Sequence, residues 1–124
     1  MTRSSEDVAA KTVSRGEARR AAFLEAATDV FLEQGYEAAS VNEVVRRAGG
    51  SLATLYSQFG NKDGLFAAVV EQATTRFSQS IMSAVDPDMA LADGLQAIGE
   101  HFLTTALTPR SLAFFRLIVG EGRK

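Results

Sequence analysis

Apolar residues in this chain recur every three or four positions, and the recurrence is broken at intervals by glycine, proline and hydroxyl residues. Phe23, Ala27, Val30 and Phe31 stand at i, i+4, i+7 and i+8, the stripe that one face of an α-helix turns toward a core. This first helix opens near Arg15 and closes at Gly35, a plausible left-handed cap. Val41, Val44, Val45 and Ala48 repeat the spacing in a short second helix that ends at Gly49 and Gly50. Ser40 and Glu43 precede it at capping-box spacing, with a hydroxyl for one backbone N–H and a carboxylate for the other. Ser51 caps a third helix, about Leu52 to Phe59, with Leu55 and Phe59 as its buried pair and Gly60 as its end. Asn61 caps a long fourth helix, in which Leu65, Phe66, Val69, Val70, Ala73, Phe77, Ile81 and Val85 keep the period. Asp86 and Pro87 stop it and start a fifth, with Pro at the first helical position and Leu91, Leu95, Ile98 and Phe102 facing inward. Thr108 and Pro109 repeat the device before Leu112, Phe115, Ile118 and Val119. No alternating strand pattern competes, so the prediction is an all-α protein. Residues 1–14 show no sustained period and read as a disordered tail.

Two short helices around a tight glycine turn suggest a helix-turn-helix. In that motif the second helix enters the major groove of DNA with its N-terminal residues first. Leu52, Ala53 and Thr54 lie at that end here. Small side chains let the backbone approach base edges, an exposed apolar group can touch a thymine methyl, and a threonine hydroxyl can bond a base or a phosphate. Ser40 and Ser51 stand at helix N-termini, where the dipole favours an anion. Tyr56 can reach a backbone oxygen, and Lys62 starts the long helix.

Charge changes the picture in one respect. The 124 residues carry 13 basic and 15 acidic side chains, a net charge of −2. Residues 1–62 hold eight of each sign, so a positive surface has to come from arrangement rather than from excess. Hydroxyls, a phenol and helix N-termini take over part of the phosphate contact, and the expected salt dependence is correspondingly modest. Arg46 and Arg47 read equally well as facing DNA or as a solvated helix end. Glu25, Asp29 and Glu33 recur every four residues as a solvated face, not as paired catalytic carboxylates.

Other chemistry finds little footing. The chain has no cysteine and one histidine, His101, so no thiolate or histidine cluster offers a metal site. "GNKDG" does not meet the phosphate-loop pattern, no nucleophile–base pair is evident, and neither an enzyme nor a cofactor is predicted. No apolar run approaches the ~20 residues that cross a bilayer, and no secretory leader is visible. A cytoplasmic location fits the missing cysteine.

The stretch "SVNEVVRRAGGSLATLYSQFGNKDGLF" resembles the tetracycline-repressor (TetR) family of bacterial transcription regulators. Val44, Ala48, Gly49, Gly50, Ser51, Ala53, Thr54, Leu55, Tyr56, Phe59, Asn61, Lys62, Asp63 and Leu65 match that family's pattern. Upstream, "RRAAFLEAATDVFLEQGYEAASV" is similar to its first helix, and the strong match covers about residues 17–70. Ser40 replaces a usual threonine, Val45 an alanine and Gln58 a histidine or tyrosine, while Leu52 stands where many relatives carry a polar or basic residue. The resemblance implies DNA contacts by Ser40, Asn42, Ser51, Leu52, Ala53, Thr54, Tyr56, Gln58 and Lys62. Among these, Asn42 and Thr54 would read bases, and Tyr56 and Lys62 would anchor the backbone.

It further implies a domain plan: a tail over 1–14, a DNA-binding domain over 15–62, then a linking helix and an incomplete regulatory domain over 63–124. Relatives continue for several helices beyond the equivalent of "VGEGRK", so the chain either lacks the usual dimer surface or is a truncated product. With a full C-terminal domain the protein would be a homodimer on a palindromic operator. Repression would be relieved when a small-molecule effector moves the fourth helix. His101, Phe102 and Phe115 are the candidate pocket residues, against a plain structural role for each. The apolar face of the last two helices is expected to self-associate or to bind absent segments. The rival reading is a helical interaction module that does not bind DNA.

Overall fold

Helix boundaries in this chain are set by side-chain caps and by glycines that only a break in the helix accommodates. The computed structural model describes residues 5–122, with side chains over 15–120. They form six helices: α1 (Ser5–Ala38), α2 (Val41–Ala48), α3 (Leu52–Phe59), α4 (Lys62–Ser83), α5 (Leu91–Ala106) and α6 (Pro109–Gly122). No strand occurs among the described residues. The chain divides into two units, Met1–Val69 and Val70–Lys124.

In the first unit the predicted stripe of α1 is the core. Phe23, Ala27, Val30 and Phe31 are buried, with Val44 of α2, Leu55 of α3, and Leu65 and Val69 of α4. Fully burying an aliphatic or aromatic side chain contributes about 1.5–3 kcal/mol, so these few residues supply most of what holds the two short helices, α2 and α3, in place. Gly35 adopts φ 76°, ψ 170° and interrupts α1. The break returns Tyr36 onto Phe31, with ring centroids 5.9 Å apart, and Phe66 packs edge-on against both, at 5.2 Å and 5.0 Å. Phe59 meets Phe23 edge-to-face at 6.4 Å.

The first helix begins earlier than the sequence reading places it. Residues 1–4 lie outside the described part, but from Ser5 the backbone is helical, where a disordered tail over 1–14 is expected. "SEDVAAKTVSR" has no apolar stripe to signal a helix. It does consist largely of tolerated or good helix formers, with no glycine or proline before Gly16, so propensity continues a helix nucleated further along.

The α2–α3 turn depends on glycine. Gly49 has φ 79°, ψ 164°, a region essentially closed to residues with a Cβ. A Cβ added there would meet Arg19 Nη1 at an ordinary 3.4 Å, so the obstacle is backbone strain rather than space. Gly49→Ala is therefore expected to cost about 1–3 kcal/mol. Gly16→Ala, inside α1 with nothing within 4 Å of an added Cβ, is expected to gain about 0.5–1 kcal/mol. Urea unfolding of the two variants checks the opposite signs.

In the second unit, Thr108 and Pro109 start α6 as predicted, with the Thr108 hydroxyl accepting from Ser111 N at 3.2 Å. The start of α5 differs. Pro87 is not its first residue; Asp86 instead organises a turn, accepting from Asp88 N on its carboxylate (2.9 Å) and from Met89 N on its carbonyl (2.9 Å). α4 and α5 are joined in this unit by an edge-to-face pair, Phe77 with Phe102 at 5.7 Å. The predicted inward face of α5 is not inward. Leu91 is 79% exposed and Leu95 61%; Phe102 is also exposed, and of the four only Ile98 is half-buried. Leu112, Phe115, Ile118 and Val119 of α6 are exposed too. No single helix among the described residues is long and apolar enough to cross a membrane.

Candidate nucleic-acid interface

Two serines end-cap the helices that carry the predicted contacts. Ser51 has extended backbone, and its Oγ accepts from Thr54 N at 3.1 Å. The same oxygen lies 2.8 Å from Thr54 Oγ1, so the two hydroxyls are joined at the entry of α3. With the helix fixed in this phase, Leu55 is completely buried and its neighbours are turned out. Leu52 is 37% exposed, Tyr56 40%, and Ala53 and Thr54 are exposed as well. No acidic side chain lies in the first turn of α3, so the positive end of its dipole is left unopposed.

Ser40 caps α2 through Oγ, which accepts from Glu43 N at 3.2 Å, and Asn42 is exposed. The other half of the expected capping box is absent. Ser40 N donates to Gln34 Oε1 at 3.3 Å. The Glu43 carboxylate turns to Arg46, whose Nε donates at 2.8 Å, and to Arg47, whose Nε donates at 2.9 Å. Two guanidinium groups outbid one backbone amide for the same carboxylate. Arg47 also donates to both oxygens of Glu33 on α1, at 3.0 Å and 2.6 Å. The spacing of Glu43 from Arg46 and Arg47 is readable in the sequence; Glu33, fourteen residues from Arg47, is not.

These contacts govern protonation. Hydrogen bonds from Arg46 and then Arg47 pull the Glu43 carboxyl down to about 2, and the Arg47 contact holds Glu33 below its usual value. Both carboxyls are depressed in the folded state, so their contribution is fully present above the ordinary value near 4.5 and is lost as pH falls through the lowered values, for Glu43 toward about 2. Acid unfolding followed by circular dichroism is expected to show wild type losing more stability across that interval than Glu43→Gln does.

Gln58 and Lys62 sit differently from the other predicted contacts. Gln58 is half-buried, and its Oε1 is buried with no partner among the described residues. Lys62 Nζ donates to the carbonyl of Glu37 at 3.0 Å and stands 4.8 Å from the Tyr36 ring centroid. The last carbonyls of α1 lack helical partners and carry partial negative charge, which draws the ammonium. Two further arginines brace the same elements. Arg19 Nη1 donates to Ala48 O at 3.4 Å, at the end of α2, and Arg20 lies 4.7 Å from the Phe59 ring centroid.

The three candidate pocket residues each have their own surroundings. His101 Nε2 is 2.6 Å from Ser80 Oγ, Phe102 meets Phe77 edge-to-face, and Phe115 is exposed. A shallow cleft of about 190 Å³ lies among Val85, Asp86, Met89, Leu91, Leu95 and Ile98, and none of the three lines it. Among the described residues no group of three or more histidine or acidic side chains is placed to hold a metal.

Comparison with known proteins bears on the same elements. The sequence profile described as "Bacterial regulatory proteins, tetR family" matches residues 23–69, which carry α2, α3, the later part of α1 and the start of α4. The HTH-type transcriptional repressor ComR of Escherichia coli is 38% identical over 95 residues, covering 73% of this chain and 45% of the relative. The HTH-type transcriptional activator FasR of Mycolicibacterium smegmatis is 33% identical over 84 residues, covering 68% and 38%. A crystal structure of a TetR-family regulator from Mesorhizobium loti superposes with a TM-score of 0.78 at 26% identity, covering 88% of this chain and 55% of that one. The chain thus spans about half the length, or less, of these three proteins.

Proposed function

Because the chain belongs to the tetracycline-repressor family of bacterial regulatory proteins, we propose that it binds double-stranded DNA sequence-specifically through α3 and regulates transcription. One observation carries this reading. Leu55 locks α3 to the core while the leading turn, Leu52 to Thr54, faces outward uncharged. A helix so placed can enter a major groove without desolvating a charge of its own.

In this reading Asn42 and Thr54 contact bases, and Ser40, Ser51 and Tyr56 contact phosphates. Leu52 and Ala53 pack against the groove floor. Lys62 joins them by exchanging the Glu37 carbonyl for a phosphate oxygen, and Gln58 by turning its amide outward. The protein is a cytoplasmic repressor whose dimer spans the two half-sites of a palindromic operator. An effector bound by the second unit acts through α4, residues of which belong to both units. Such a switch requires the effector to bind the two states unequally. Repression follows the family resemblance and the greater identity to a named repressor than to a named activator.

Selection from a randomised duplex pool, followed by anisotropy titrations at rising salt, tests the proposal. Enrichment of an inverted repeat, bound with an affinity that falls as salt rises, is the expected result. The exposed apolar residues of α5 and α6 favour the second reading, an interaction module without DNA binding. Retention of no duplex at any salt concentration would establish that reading in place of the first.

A further inference from the structure

Arg46 and Arg47 are the cations of α2, and carboxylates occupy both. Arg47 is held by two, Glu33 and Glu43, and its side chain is 31% exposed. Arg46 is held by Glu43 alone, through its Nε and Nη2, on a side chain 72% exposed. Asn42 and Arg46 stand one helical turn apart, roughly 6 Å along the axis, and both are exposed. The arginine nearest the proposed DNA-facing end of α2 is thus the one with a single carboxylate partner and the most room to move.

A carboxylate and a phosphate compete for the same guanidinium geometry. While Arg46 is forked onto Glu43, α2 offers little net positive charge to a phosphate. We propose that Glu43 is a specificity-determining residue: it parks Arg46 away from the DNA backbone and so suppresses sequence-independent affinity. The proposal rests on the DNA-binding reading above. It assigns Arg46 no contact in the random-sequence complex and gives Glu43 a role apart from capping, since its backbone N–H already serves Ser40. Arg47 does not take over when Glu43 is removed, because Glu33 still holds it.

The test uses the chain as it stands, with Glu43→Gln, Arg46→Gln and the double variant, on a random-sequence duplex titrated at rising potassium chloride. Each phosphate newly neutralised steepens the slope of log affinity against log salt by ~0.9, which near 0.1 M salt is roughly a fivefold to tenfold gain in affinity. Glu43→Gln is expected to show that gain and that steeper slope, and the double variant to return to the wild-type slope. Arg46→Gln alone is expected to leave the slope unchanged, a result independent of whether Glu43→Gln folds well. A wild-type slope in folded Glu43→Gln, a double variant that stays steep, or a slope lowered by Arg46→Gln would each overturn the proposal. Absence of salt-dependent binding in wild type would instead bring down the DNA-binding reading, and this inference with it.

Discussion

Leu55→Ala is expected to lower the free energy of unfolding of the first unit by about 2–5 kcal/mol, the range for truncating a fully buried leucine. Leu55 has no exposed surface. It sits in an eight-residue helix, far below the ~12–15 residues at which a helix sustains itself in water. α3 therefore persists because its packing face is held, chiefly by Leu55 and by the half-buried Phe59 against Phe23. Leu52→Ala is the matched control: the same chemical change three residues earlier, at a side chain 37% exposed, expected to cost less than about 1 kcal/mol. Urea unfolding followed by circular dichroism decides between them. Equal costs for the two leucines would mean that α3 is not docked in the phase described here.

That phase was the most legible feature of the sequence, because three local signals agree on it. The Ser51 cap, the Leu55–Phe59 spacing and Gly60 all point to a helix over 52–59, and α3 has those bounds. Agreement between propensity, pattern and caps is what makes a segment specify one structure. Where signals were single, the reading slipped. Pro87 marks a plausible helix start, but the Asp86 side chain supplies a turn that competes with it. The Ser40–Glu43 spacing fits a capping box, yet Glu43 is also three and four residues from two arginines, and charge-assisted bonds win the carboxylate.

The α5 and α6 stripes show a different limit. Periodicity identifies which residues share a face: Leu91, Leu95, Ile98 and Phe102 do fall within one helix. It does not say whether another element covers that face, and here most of it is exposed. The same gap separates prediction from structure at the candidate site. Position along α3 is enough to place Ala53 and Thr54 on its leading turn. It is not enough to show that Lys62 reaches a carbonyl twenty-five residues away, or that Gln58 turns an oxygen inward. Contacts of high sequence separation leave no local trace, and they decide where a flexible polar side chain rests.

Ala53→Glu separates fold from function and carries the second large effect. Ala53 is exposed in the first turn of α3, where no acidic residue stands. A carboxylate there complements the helix dipole, so stability is expected to hold or to rise by about 0.3–1 kcal/mol. At a DNA surface the same carboxylate meets phosphates and base edges in a groove that excludes much of the water. Like-charge juxtaposition in an interface costs several kcal/mol, and a loss of roughly 3 kcal/mol lowers affinity about 100-fold. Duplex binding by anisotropy is therefore expected to fall at least about 100-fold while the urea midpoint does not decrease. Ala53→Ser, small and uncharged, is expected to keep most of the affinity, which ties the loss to charge rather than to any change at the position. If Ala53→Glu binds as tightly as wild type, the leading turn of α3 does not lie in a groove, and the domain's DNA contacts have to be sought on another face.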